Sequence, residues 1–273
     1  MQWYNIVPND RCVRFNLNSF GVSYNNDDIY YLGEHKNVLL INALLAQNDN
    51  AYRKIVDVIC EFKPKWMQAQ PFILNKLLQT YKKIDKLPPK SLLYIESVGE
   101  ILSNDLRRRV TDFFGVDIAD MYGSEEMNGI ALENREKQFG VLTDNVHIEV
   151  MRNDIVYGSG DGEAIITNIN NFAMPLIRYN QGDKISIEKI IDKEKFVIDK
   201  YTYKISLLSG RSCESINLLN YEITQLLLVD IISEVNNAFG DCITDYGYIY
   251  YKSKNTIVCN IVVEKIRTCF FQI

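Results

Sequence analysis

The residues of this chain best suited to chemistry lie together in Asp120-Met-Tyr-Gly-Ser-Glu-Glu126. Tyr122 offers a flat stacking face, and the adjacent carboxylates Glu125 and Glu126 could supply oxygen ligands to a divalent ion. Gly123 lacks a Cβ, so a ligand or another backbone can approach closely beside Ser124. On residue types alone, an ordinary acidic surface turn is the simpler reading of seven residues. Other chemistries are easier to exclude. The two histidines, His35 and His147, are far apart, which excludes a histidine-rich metal site. No G-x-S-x-G elbow is present, so a Ser-His-Asp hydrolase is not expected. Six cysteines without a C-x-x-C pair read as reduced structural thiols rather than a disulfide framework or zinc site.

The elements around the acidic stretch follow from periodicity. Val116-Asp-Ile-Ala119 reads as a β-branched strand leading into it, with Asn128-Gly129 as a turn signal behind it. Upstream, Leu92 to Ile95 reads as a buried strand running into Gly99-Glu100. Ser103 is an N-cap for a helix with Leu106, Val110, Phe113 and Phe114 on its core face, closed by Gly115. Strand, loop, helix and strand make a β-α-β unit and hence a parallel sheet. Gly99-Glu100 and Tyr122 to Glu126 then open on one carboxyl edge, where ligands of open α/β sheets bind. Earlier still, Ile55, Val56, Ile59 and Phe62 mark a helix stopped by Pro64. Pro71 opens another, with Leu74, Leu77, Leu78 and Tyr81 on one stripe. Residues 1 to 50 are less readable: Asn25 to Asp28 is a turn, and Val38 to Ile41 is a buried strand or a helix start. Past residue 140 the period becomes two, in Val146-Ile148-Val150, Ile165-Thr167 and Ile185-Ile187, with turns at Gly158 to Gly162 and Gln181-Gly182-Asp183. From about residue 209, a helix over Ile223 to Phe239 and a hairpin turning at Lys252 to Asn255 form a small α+β unit.

The composition, 47% hydrophobic and 24% charged, is that of a globular protein. A net charge of −5 argues against nucleic acid or a membrane surface as partner. No apolar run approaches a bilayer span of about 20 residues, and Met1 to Asn5 lacks the start of a signal peptide, so a cytoplasmic location is expected.

Four stretches in order resemble one family. Tyr122-Gly-Ser-Glu-Glu126 is similar to the Tyr-Gly-x-Thr-Glu motif of adenylate-forming enzymes, the acyl/aryl-CoA ligase superfamily. Pro175 to Asp183 resembles its Tyr/Arg-x-x-Gly-Asp motif in the form of the phenylacetate-CoA ligase and capsular-polysaccharide-biosynthesis branch. Gly210-Arg211-Ser-Cys-Glu-Ser-Ile216 resembles the hinge Gly-Arg-x-Asp-Asp-x-Ile, and Gly99-Glu100 resembles the Gly-Glu loop. Gly162 to Thr167 matches the strand leading into the aspartate motif. The resemblance covers residues 60 to 216.

It implies an α/β fold: part of a large adenylation domain over residues 1–140, a β-rich subdomain over 141–208, and a partial lid over 209–273. It implies that Tyr122 stacks on adenine, that Gly123 and Ser124 line the nucleotide, and that Glu126 holds Mg2+ at the phosphates of ATP. Asp183 then binds the ribose hydroxyls, Gly99 and Glu100 lie against the adenine, Arg178 supports the pocket, and Arg211 contacts the nucleotide from the hinge. A carboxylic acid would be activated as its acyl adenylate and passed to coenzyme A. The sequence departs from the family in four places. Nothing between Met1 and Val98 resembles its Ser/Thr/Gly-rich phosphate loop, and Lys265 lacks the setting of its terminal lysine. Glu125 and Cys213 replace a motif threonine and a hinge aspartate. Two expectations follow. The chain is a fragment or split part of a ligase, completed by a polypeptide carrying the phosphate loop. Alternatively, it is a degenerate, non-catalytic AMP/ATP-binding or interaction protein.

Overall fold

A computed structural model describes residues 4–16, 29–46, 48–189, 203–211, 216–218, 221–239 and 242–263. In chain order these form β1 (Cys12–Asn16), β2 (Tyr30–Leu32), β3 (Val38–Asn42), α1 (Asp49–Phe62), β4 (Trp66–Ala69), α2 (Pro71–Lys83), β5 (Tyr94–Val98), α3 (Asn104–Phe114) and β6 (Asp117–Ser124). There follow β7 (Asn128–Glu133), β8 (Phe139–Val141), β9 (Val146–Arg152), β10 (Ile155–Tyr157), β11 (Gly160–Asn168), β12 (Tyr179–Lys189) and β13 (Tyr203–Arg211). The remainder is β14 (Ile216–Leu218), β15 (Tyr221–Ile223), α4 (Gln225–Phe239), β16 (Ile243–Tyr251) and β17 (Thr256–Val263). No described helix is long and apolar enough to cross a membrane.

The helices begin and end where their caps require. Asn48 accepts from the Ala51 N–H at the start of α1, and Ser103 accepts from the Leu106 N–H at the start of α3. Pro71 occupies the first turn of α2, where its missing N–H has no intrahelical partner to lose. The apolar stripes of α1, α2 and α3 then bury Ile55, Leu74, Leu77 and Val110 completely against Val13, Ile41, Met67, Ile95 and Ile118 of the sheet. Each such side chain contributes roughly 1.5–3 kcal/mol on burial.

Among the described residues one sheet of 13 strands runs in the order β10-β9-β11-β12-β13-β8-β7-β6-β5-β4-β1-β3-β2. From β3 through β1, β4 and β5 to β6 the pairing is parallel, as the expected β-α-β unit requires. From β7 to β10 every neighbouring pair is antiparallel. That half shares one apolar core: Met127, Ile130 and Val141 pack with Val146, Ile148, Ala164, Ile185 and Ile205. Strands far apart in sheet order meet in that core, so this half of the sheet curls on itself. The sheet face opposite the helices carries Tyr94 and Glu96 beneath Tyr4, which stacks on Tyr94 at 4.1 Å and donates to Asp117 at 3.0 Å. Burial raises the pKa of Glu96, against the pull of hydrogen bonds from Gln68 and Tyr94.

Val38 to Asn42 forms a strand, one of the two readings the sequence left open. Other local expectations need correction. The strand entering the acidic stretch does not stop at Ala119 but continues as β6 through Ser124, and Glu125 to Met127 make the turn ahead of Asn128-Gly129. The turn expected at Gln181-Gly182-Asp183 lies inside β12. There Gly182 takes φ +83°, and the β11–β12 register shifts around it, so the glycine makes a bulge rather than an end. Strands β1 and β4 were not read from the sequence at all. The Asn25 to Asp28 turn, Ser212 to Ser215, Gly240 and Lys265 lie outside the described residues.

The bend from β6 into β7 demands glycine at 123. A Cβ there would stand 2.3 Å from the Asn128 carbonyl oxygen, so the close approach made possible by this residue is that of its own hairpin partner. Gly123→Ala should lower unfolding free energy by roughly 1–3 kcal/mol, since the obstacle is backbone and cannot rotate away. Urea titration followed by circular dichroism measures it, and an unchanged midpoint would show the hairpin to be looser than drawn.

Candidate functional site

Strand β6 is the platform of the site. Val98 of β5 lies opposite Met121, so Tyr122, Gly123 and Ser124 run past the last parallel pair. The turn beyond them is held from both sides. Ser124 Oγ accepts from the Met127 N–H at 3.3 Å, and Asn145 Nδ2 donates to the carbonyls of Met127 and Gly129 at 2.8 and 2.7 Å. Met127 itself is fully buried, which anchors the turn in the core. Glu125 is therefore exposed at the tip and Glu126 half-buried behind it.

Strand β12 meets this platform across 61 residues of sequence. The Tyr122 hydroxyl donates to Asp183 Oδ2 at 2.6 Å, and Gln181 Nε2 donates to the same oxygen at 2.7 Å and to the Tyr122 hydroxyl at 3.1 Å. Asp183 is only 7% exposed, so these donors do for its carboxylate what water does elsewhere. Tyr179 reaches Glu126 Oε1 at 3.4 Å, a long and weak contact. On the other side of β12, the Arg211 backbone stands opposite Asp183 in the β12–β13 ladder.

Tyr122, Glu126, Asp183 and the backbone of Arg211 thus share one neighbourhood, and Gly99 closes β5 beside it with φ +82°. Two other candidates turn elsewhere. Glu100 Oε2 accepts from the Phe72 N–H at 3.4 Å, which puts its charge at the positive end of α2. Arg178 forms a two-point ion pair with Glu149 on β9, both contacts at 3.0 Å, while its N–H donates to Thr167.

The sequence reading passed over Asp120 and Gln181, although both lie inside the motifs it quoted. Asp120 points into the edge between β5 and β6, opposite Ser97. Burial and the nearby Glu133 carboxylate push its pKa up to about 7, against the pull of Ser97 and Arg107. Ser97 is close enough to temper the shift, yet Asp120 Oδ1 and Ser97 Oγ both remain buried outside hydrogen-bonding geometry. Glu133 has better partners, accepting from Arg107 and from the Asp120 N–H, each at 2.8 Å. The signal available in advance was a carboxylate on the inner half of a buried strand, which burial must shift. Among the described residues no three His, Cys, Asp or Glu side chains converge as a ready-made metal cage.

The architecture resembles part of the fold of solved CoA ligases. It superposes on 2-hydroxyisobutyryl-CoA ligase in the postadenylation state, complexed with R3-HIB-AMP, with a TM-score of 0.71 and 15% identity, covering 95% of this chain and 55% of that one. On anthranilate CoA ligase complexed with anthranoyl-AMP the TM-score is 0.60 at 14% identity, covering 84% and 44%. In sequence, the chain is similar to the phenylacetate-coenzyme A ligase of Aromatoleum evansii, with 25% identity over 138 residues, 48% of this chain and 31% of that protein. No protein-family model matches. The chain thus spans about a third of its curated relative and about half of these solved ligases.

The raised pKa of Asp120 carries a pH signature. Between the ordinary carboxylate value and about 7 the folded chain holds a proton that the unfolded chain releases, so this residue's contribution to stability falls as pH rises through that window. The loss is complete about one pH unit above that raised value. The slope approaches roughly 1.4 kcal/mol per pH unit for one proton. Asp120→Asn should therefore gain stability relative to wild type as pH rises until that loss is complete, and hold a constant difference beyond it. Parallel denaturation series at pH 5, 6, 7 and 8 check this, and a difference independent of pH would refute the assignment.

Proposed function

We propose that this chain is the nucleotide-binding portion of an acyl- or aryl-CoA ligase of phenylacetate-CoA ligase type. The single observation that carries this reading is the 2.6 Å bond between Tyr122 and Asp183, which unites two motifs distant in sequence at the carboxyl edge of the sheet. In the reaction, a carboxylate attacks the α-phosphorus of ATP and expels pyrophosphate. A thiolate of coenzyme A then attacks the acyl carbon and AMP leaves. The structural relatives captured with acyl adenylates and with CoA support both halves of this scheme.

The residues take distinct parts. The Tyr122 ring is the stacking surface for adenine, with its hydroxyl held by Asp183 and its backbone continuing into Gly123. Asp183 accepts from the ribose hydroxyls, which are donors suited to a carboxylate. Ser124 and the backbone at Gly99 and Glu100 frame the nucleotide, the Glu100 side chain being turned to α2. The contact from the hinge is assigned to Arg211, whose backbone lies opposite Asp183, and the ion pair of Arg178 with Glu149 stiffens the approach of β12. Magnesium needs only one or two protein carboxylates when phosphates complete its shell, which Glu126 satisfies; bound there it would offset charge on the phosphate oxygens. The domain division at residues 140 and 208, with a lid thereafter, belongs to this proposal, as does coenzyme A as acceptor.

A second reading, nucleotide binding without catalysis, rests on Glu125. Its exposed carboxylate stands where the motif normally presents a threonine to phosphate, and like charges repel. An ATP–pyrophosphate exchange screen over aryl and aliphatic acids separates the readings, using the chain alone and together with a polypeptide carrying a Ser/Thr/Gly-rich loop. We expect baseline exchange from the chain alone, since loss of one preorganised donor already costs on the order of 10²–10³ in rate. Exchange restored by the second polypeptide supports the ligase. Baseline exchange in both arms supports the non-catalytic reading.

Binding should survive at the adenosine end in either case. AMP is expected to bind at least as tightly as ATP, and Asp183→Ala should weaken both by roughly 1.5–3 kcal/mol. Calorimetric titration tests this. Much tighter binding of ATP than AMP, or an indifferent Asp183→Ala, would show the site to be wrongly drawn.

A further inference from the structure

We infer that Gln181 is a positioning residue that sets the Asp183 carboxylate for ribose binding. The inference rests on the adenosine site just proposed and adds to it the group that orients its ribose-binding carboxylate.

Gln181 and Asp183 flank Gly182 at the bulge of β12, and their side chains meet there. The bulge is itself secured, since Asn180 Oδ1 accepts from the Gly182 N–H at 2.8 Å. The amide of Gln181 then forms one side of a closed triangle. Its Nε2 lies 2.7 Å from Asp183 Oδ2 and 3.1 Å from the Tyr122 hydroxyl, which in turn lies 2.6 Å from the same carboxylate oxygen. Chemistry fixes the orientation of that amide. Turned over, it would set a carbonyl oxygen against a carboxylate oxygen, an arrangement of two acceptors with no proton between them. The buried Gln181 Oε1 accepts no hydrogen bond among the described residues, so the amide is held by its donor end alone.

The consequence is asymmetric. Both donors meet Oδ2 and neither meets Oδ1, so the carboxylate plane is fixed by one oxygen while the other is turned from the triangle. Without the Gln181 amide, the 7% exposed carboxylate loses one of the two donors that the triangle gives it, and the fixed orientation of its plane with it. An apolar replacement should thus harm recognition of the ribose while leaving the fold and the adenine contact in place.

The test uses AMP and 2′,3′-dideoxy-AMP titrated by calorimetry into wild type, Gln181→Met, Gln181→Glu, Asp183→Ala and the Gln181→Met/Asp183→Ala double variant. Gln181→Met should weaken AMP roughly five- to tenfold, the size of one hydrogen bond, and leave dideoxy-AMP within about twofold. Gln181→Glu, nearly isosteric but charged, should weaken AMP further, because two carboxylates would compete for the Tyr122 hydroxyl. The double variant should bind AMP no worse than Asp183→Ala, since Gln181 acts through Asp183. Equal weakening of both nucleotides by Gln181→Met would mark packing damage and overturn the inference, as would unchanged AMP binding. In the latter case, a clear loss in Asp183→Ala leaves the adenosine site standing and refutes only the role of Gln181. Wild type binding neither nucleotide refutes both.

Discussion

Strand β6 must satisfy two partners of opposite direction, parallel β5 on one side and antiparallel β7 on the other. The site depends on that double pairing, because only a strand that outlasts its parallel neighbour can carry Tyr122 past the sheet edge and then reverse. The reversal is locked by Glu133. Only 5% exposed, it receives the Arg107 guanidinium from α3 and the Asp120 N–H from β6. One carboxylate thus fastens helix, platform strand and returning strand at a point just inside the site. Removing either partner of such a buried pair costs about 3–5 kcal/mol, through the charge left behind rather than through the worth of the pair itself.

The second requirement is that β12 come back to β6, although β13, β8 and β7 lie between them in sheet order. A flat sheet would hold those strands well over ten ångströms apart at the usual spacing of about 4.8 Å per neighbour. Curling closes the distance, and its cause is the shared interior of Met127, Ile148, Ala164, Ile185 and Ile205. The bulge at Gly182 adds local twist where β12 has to turn Asp183 inward. Hydrophobic alternation in the antiparallel half therefore does more than stabilise it. It determines that a tyrosine and an aspartate 61 residues apart become hydrogen-bonded neighbours.

Much of this was legible in the sequence, and what was not has physical reasons. The caps of α3, Pro71 at the head of α2 and the hairpin turn at Lys252 to Asn255 are local signals, and local signals survive folding. Strand β4 escaped because Trp66 to Ala69 contains no β-branched residue and is only four residues long, too short to show a period. Strand β1 escaped for a similar reason, its five residues being recruited between β3 and β4 by pairings distant in sequence. At Gly182, turn chemistry and bulge chemistry call for the same residue, and only the continuing ladder with β11 and β13 decides between them. The candidate site was legible as a set of motifs, through resemblance rather than through spacing. Its internal wiring was not: nothing local announces that Gln181 faces Tyr122, or that Glu100 is turned to α2.

The charges at this edge also argue for which end of a nucleotide it suits. Asp183 and Asp120 are buried or half-buried acceptors, and Glu126 and Glu125 follow at the turn. Two nearby guanidiniums, Arg107 and Arg178, are engaged with Glu133 and Glu149. An edge so furnished matches hydroxyl and amino groups, which bring protons, better than phosphates, which bring only lone pairs and charge. A triphosphate drawn across the same edge needs positive charge from another source, whether a magnesium ion at Glu126 or a cationic side chain outside this cluster. On the nucleotide-binding role proposed above, adenosine recognition and phosphate handling are separable physical tasks, and the acceptors of this edge suit the first.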